Sequence, residues 1–129
     1  MKVIHIEDLD GGERDVDVEN WRSRRFVLAG DKVGFSFHDT LLRAGTESEF
    51  WYANHVECVY VYEGTGTLLN RDTGEEHELR PGTVYLLDKH DRHTVKATTD
   101  IRTACVFNPP VTGREVHDEN GVYPLVVEA

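Results

Sequence analysis

Short stretches of alternating apolar and polar residues run through most of the chain. "KVGFSFHDTLL" (32–42), "VECVYVYEG" (56–64), "GTGTLLN" (64–70), "GTVYLLD" (82–88), "HTVKAT" (93–98) and "IRTACVF" (101–107) are rich in Val, Tyr, Phe and Thr. Such side chains suit a pleated surface with one buried face, so each stretch is predicted to be a strand. Between them lie "AGTES", "EGTG", "RDTGEE", "RPG", "DKHDR" and "TTD", dense in turn-forming residues. Strands this short and this regularly punctuated predict an all-β fold, a barrel or double sheet of jelly-roll type. One stretch, "DVENWRSRRF" (17–26), is read as a short helical turn. Asp17 is placed to cap it and Glu19 sits early, where the helix dipole favours a carboxylate. The tail "NPPVTGREVHDENGVYPLVVEA" (108–129) holds three of the four prolines, so it is expected to wrap the barrel irregularly before a last short strand.

Size and charge narrow the picture. A chain of 129 residues, 39% of them hydrophobic, closes one good core, whereas two domains would each be marginal; a single domain over 1–129 is expected. With 24 acidic against 14 basic side chains the net charge is −10, which disfavours nucleic acid and anionic membranes as partners. No apolar run approaches the roughly 20 residues that span a bilayer. The start "MKVIHIEDLDGGERD" turns acidic early and lacks a signal-peptide core, so a cytoplasmic location is expected. Cys58 and Cys105 are then expected to be free thiols.

The stretch "GTESEFWYANHVECVYVYEGTG" (45–66) raises the question of chemistry. Small double-stranded β-barrels of the cupin superfamily carry a first motif G-x5-H-x-H-x3-E-x6-G. This chain keeps its frame in Gly45, Glu57 and Gly64, but Trp51 and Ala53 stand at the histidine positions. The second motif, G-x5-P-x-G-x2-H-x3-N, aligns with Gly82 and His93, while Asp88, His90 and Ala97 replace its other residues. Glu57 interrupts the apolar run Val56, Cys58, Val59, Tyr60, Val61, where a buried carboxylate is costly without a cation or hydrogen-bond partners. Alternation puts Glu57, Val59 and Val61 on one face, and Thr83, Tyr85 and Leu87 on one face of a later strand. If both faces look inward, Glu57, Tyr85 and His93 converge. Taken alone, Tyr85 reads as a core or rim tyrosine and His93 as a loop histidine. His5, His77 and His90 read as surface residues, and His38 is left unassigned within the inward row Ser36, His38, Thr40.

Five stretches sharpen the reading: "ENWRSRRF", "FHDT", "YANHVECVYVYEGTGTL", "GTVYLLDKHDRHTV" and "ACVFNPPVTGREVHDENGVYP". Through them the chain resembles the ectoine synthases, cupin enzymes that make an osmoprotectant in salt-stressed bacteria, over essentially its whole length. The resemblance implies one Fe(2+) per chain held by Glu57, Tyr85 and His93, a donor set that also suits other divalent metals. It implies N4-acetyl-L-2,4-diaminobutyrate as substrate, whose α-amine attacks its own acetamide and expels water to close a cyclic amidine. It further implies a substrate pocket of Trp21, Arg25, Thr40, Tyr52, His55, Cys105, Phe107, Glu115 and His117. Within it Arg25 clamps the carboxylate, and Glu115, grouped with the three metal ligands as catalytic, holds the amine. A homodimer is also implied, for which "KVIHI" offers an N-terminal strand able to pair across a sheet edge. Two other readings share the barrel: a different metal-dependent cupin enzyme, such as a small-molecule oxygenase or sugar isomerase, and a ligand-binding cupin without catalysis.

Overall fold

Strict alternation in the sequence becomes strict alternation in burial along the central strand, β10 (Ile101–Asn108), where Ile101, Thr103, Cys105 and Phe107 point inward. The structure, a computed structural model, describes residues 1–113. Among the described residues nine more strands accompany β10: β1 (Asp15–Asp17), β2 (Trp21–Val27), β3 (Ser36–Leu42), β4 (Glu47–Trp51), β5 (Val56–Glu63), β6 (Gly66–Asn70), β7 (Glu76–Leu79), β8 (Thr83–Leu87) and β9 (Arg92–Ala97). All pairings are antiparallel. One sheet runs β1-β2-β3-β10-β5-β8 and the other β4-β9-β6-β7, and their inner faces enclose the core. Helix among the described residues is limited to two 3-10 turns, Ile6–Leu9 and Ala29–Asp31.

The helical reading of 17–26 is corrected. Trp21–Val27 is a strand paired with β3, and Ser23 and Arg25 face inward and are buried. Polar side chains occupy the inner face there, so the usual apolar alternation that marks a strand is missing. Among the described residues the stretch "KVIHI" forms no strand: it leads extended into the first 3-10 turn, with Val3 and Ile4 exposed.

Two apolar clusters fill the barrel. One groups Leu28, Tyr52, Val59, Leu87, Cys105, Phe107 and Val111; the other groups Leu42, Val61, Leu68, Leu79, Val95, Ala97 and Ile101. Each fully buried Val, Leu or Ile stabilises by roughly 1.5–3 kcal/mol. Phe50 and Tyr85 pack against both clusters, so the seam between them passes through Tyr85. Gly64 lets β5 turn into β6 at φ 92, and a Cβ there would lie 1.9 Å from the Asp100 carbonyl oxygen, so no other residue fits. On the outer face, Asp39 accepts hydrogen bonds from the Tyr62 hydroxyl and the Arg102 guanidinium, tying β3, β5 and β10 together.

Candidate metal and substrate site

At the seam between the clusters lies a cavity of about 40 Å³, lined by residues of both sheets. Its first wall carries the expected metal donors. Glu57 on β5 pairs with Leu87 of β8, and Tyr85 pairs with Val59, so the carboxylate and the phenol sit one step apart on the same inner face. His93 arrives from β9 of the opposite sheet, its ring centroid 6.2 Å from that of Tyr85. The rings of Phe50 and Tyr52 hold His93 in place at 5.6 and 6.0 Å.

The electrostatics of this wall follow from burial. Desolvation pushes the Glu57 carboxyl up to about 8, and a hydrogen bond from the Cys105 thiol offsets only part of it. Tyr85 is half-buried as a whole, but its hydroxyl is enclosed; burial first, and the Glu57 and Cys105 charges next, raise it well above the phenol range. Burial lowers His93 to about 4. Its Nδ1–H donates to the Asp91 carbonyl at 3.1 Å, which leaves the Nε2 lone pair as the donor for a metal. Among the described residues no three His, Cys, Asp or Glu side chains converge; the set reaches three donors only when Tyr85 is counted. Carboxylate, phenolate and imidazole fit a divalent cation, and the cation would supply the charge that burial otherwise denies the two acids.

Across the cavity, β2, β3 and β10 present hydroxyls and a thiol. Ser23 Oγ lies 3.4 Å from Thr40 Oγ1, and Cys105 Sγ lies 3.3 Å from Thr103 Oγ1 and 3.9 Å from Thr40 Oγ1. Trp21, Tyr52 and Phe107 supply aromatic surface to the same cavity. Arg25 stands behind this wall rather than on it, buried, with its Nε–H donating to Ser23 Oγ at 3.2 Å. His55 also lies outside the lining: its Nδ1–H donates to the Pro109 carbonyl at 2.9 Å and its ring meets Phe107 edge-on at 5.8 Å. The cavity therefore gathers Trp21, Thr40, Tyr52, Glu57, Tyr85, His93, Cys105 and Phe107, with Arg25 and His55 one layer back. Glu115 and His117 lie outside the described residues.

Three polar lining residues lie outside the site set expected from the sequence, Ser23, Thr103 and His38, as do the apolar Leu42, Phe50 and Val59. The signal for the polar three was their inward parity with Trp21, Cys105 and Thr40. A second, wider cleft of about 570 Å³ opens between β8 and the β6–β7 hairpin and reaches Tyr85 and His93 from the other side.

Barrel topology and the position of these side chains define a cupin-type barrel with a pocket that gathers a carboxyl, a phenol and an imidazole. The family model described as Ectoine synthase matches residues 1–127. L-ectoine synthase of Saccharopolyspora erythraea is 59% identical over 128 residues, covering 99% of this chain and 95% of that protein. L-ectoine synthase of Rhodococcus jostii is 61% identical over 128 residues, covering 98% and 97%. Among solved structures, ectoine synthase from P. lautus superposes with a TM-score of 0.88 at 47% identity, covering 100% of this chain and 93% of that one. The chain belongs to the ectoine synthase family.

Proposed function

We infer that this protein closes N4-acetyl-L-2,4-diaminobutyrate to ectoine with loss of water, as a hydro-lyase. The observation that carries the reading, beside family membership, is the meeting of Glu57, Tyr85 and His93 from two sheets at a cavity whose far wall is built of hydroxyls, a thiol and aromatic rings. Those three side chains would hold one Fe(2+) per chain. When bound, the cation supplies Lewis acidity, which makes an amide carbonyl a better electrophile by several kcal/mol. The chain's own residues do the rest. Arg25 gives the carboxylate end a cation to lean toward, and Glu115 takes the amine. Trp21, Tyr52 and Phe107 fold the flexible substrate and keep bulk water away from a reaction that releases water. Well-oriented intramolecular attack recovers on the order of 7–11 kcal/mol of barrier.

A homodimer belongs to the same reading. Among the described residues β8 pairs only with β5, at the edge of its sheet, with Val84 57% and Leu86 53% exposed, and Val3, 76% exposed, lies on an N-terminal segment that pairs with no described strand. A cytoplasmic, reducing setting agrees with the two free cysteines. Among the described residues no helix is long and apolar enough to cross a membrane.

Tyr85→Phe tests the site. The ring and its packing stay, and one donor goes. Iron stoichiometry and ring-closure rate should fall together, whereas a hydroxyl that only makes a hydrogen bond costs about 1 kcal/mol of stability and spares both. Full iron with full rate in this variant refutes the three-donor site.

A further inference from the structure

We propose that His38 is a catalytic residue, its Nε2 receiving the substrate's α-amino group as hydrogen-bond acceptor and taking the proton that this nitrogen must shed. The inference rests on the ring-closing function above and assigns the base that the function leaves open.

His38 lines the cavity with 2% of its surface exposed, and its Nε2 is fully enclosed without a hydrogen-bond partner among the described residues. Leaving a buried polar nitrogen unsatisfied costs roughly 1–3 kcal/mol, so the position calls for a partner that arrives from the cavity. The ring is packed against Phe107 at 5.1 Å, which fixes its plane. In the sheet it stands directly between Arg25 on β2 and Cys105 on β10. The charged or titratable groups around it are therefore Arg25, His55 and the protonated Cys105 thiol. Burial first, then Arg25 and His55, hold the imidazole well below its ordinary range, so it is neutral and carries one lone pair.

What arrives must be a donor. The substrate's carboxylate is drawn toward the Arg25 cation, and its carbonyl oxygen faces the wall of Glu57, Tyr85 and His93. The amine shares a carbon with the carboxylate, so an amine close to Arg25 is also close to the residue paired with Arg25, which is His38. An ammonium cannot attack until it loses a proton, and the neighbouring Arg25 weakens its hold on that proton. Nε2 accepts it. The amine nitrogen then bonds to the acetamide carbon as the carbon–oxygen bond breaks. Both protons that the nitrogen sheds leave with that oxygen as water, and the product keeps the substrate's net charge.

His38→Phe retains an aromatic ring against Phe107 and removes the acceptor. In the iron-loaded protein, metal content should be unchanged and kcat should fall roughly 100-fold or more, the usual scale for losing a positioned base. Substrate affinity should weaken, while the inhibition constant of 4-acetamidobutyrate, the same skeleton without the α-amine, should move by less than about twofold, because it never makes the missing hydrogen bond. Unchanged turnover overturns the proposal. So does parallel loss of iron, which would put His38 among the groups that build the metal site, and so does equal weakening of both ligands. Should His38→Phe fail to fold, His38→Gln decides on the same readouts, with a loss of about tenfold or more expected and unchanged kcat overturning the assignment. Wild-type protein that forms no ectoine in the same assay overturns the function and this inference together; wild-type turnover beside an unimpaired variant overturns the role of His38 alone.

Discussion

Glu57→Gln should make the metal-free protein more stable at neutral pH even as it removes one of the three proposed metal donors. Glu57 titrates near 8 when folded because it is desolvated, against 4.5 when exposed. Between those values the folded state holds a proton that the unfolded state has released, so stability falls as pH rises through the window. From about pH 4 to about pH 7 the loss amounts to about 3 kcal/mol at 1.36 kcal/mol per pH unit. A glutamine has the same shape and no charge to desolvate, so the variant escapes this loss. Any constant effect of the amide, such as a changed bond with Cys105, cancels when the two proteins are compared at both pH values. Urea unfolding of both chelator-treated proteins reads the difference. With a slope of about 2 kcal/mol/M, the gap between their midpoints should shift by about 1.5 M in favour of the variant as pH rises. Adding iron should reverse the order, because a cation beside the carboxylate makes the ionised form the favoured one. A midpoint gap that stays constant from about pH 4 to about pH 7 refutes the reasoning, since Glu57 would then ionise as freely inside as outside.

Gly64→Ala should cost about 3 kcal/mol or more, because its Cβ would stand 1.9 Å from the Asp100 carbonyl oxygen at a positive φ; a loss under about 1 kcal/mol by urea melt would show that the β5–β6 turn can shift aside. Leu86→Lys places a charge on β8, the edge strand among the described residues, and should yield monomer by sedimentation without loss of strand signal. A variant that remains dimeric would take the β8 edge out of the interface.

Six strands are legible in the sequence: β5, β6, β8, β9 and β10 coincide with alternating stretches whose inner faces are largely apolar, and β3 is legible from its β-forming residues although its inner row is Ser36, His38, Thr40 and Leu42. The four that escaped have identifiable reasons. β2 buries Ser23 and Arg25, so its inward parity carries no hydrophobic signal. β7 is "EHEL" at a sheet edge, exposed except for Leu79, and β4 is "ESEFW", whose first buried residue is Ser48. β1 is three residues held by pairing to β2, with Arg22 bonded to Asp15 at 2.8 Å. The candidate site shows the same limit from the other side. Parity allows Glu57, Tyr85 and His93 to converge if both faces look inward, the resemblance singles them out as donors, and parity also puts His38 in the inward row beside Thr40. It could not say that Arg25 would stop behind Ser23, because depth along a side chain depends on neighbouring strands that a single sequence does not order.

The position of the site explains why such a small barrel tolerates it. Glu57, Tyr85 and His93 occupy the seam between two apolar clusters that only Phe50 and Tyr85 bridge among the partly buried residues common to both. Polar groups placed inside either cluster would break a continuous packed unit, whereas at the seam they replace contacts that neither cluster depends on. Their cost is still real, as the displaced titrations of Glu57 and His93 show. Replacing the three by Leu or Val would merge the clusters and stabilise the barrel, since a well-packed apolar substitute usually matches or exceeds a buried polar set. The barrel thus carries, at its centre, groups that weaken it when empty and that a cation would turn from liabilities into ligands. If a cation binds there, the same three side chains couple binding to folding, so variants of the seam that weaken metal affinity should gain stability in the metal-free protein and lose the extra stability that metal confers.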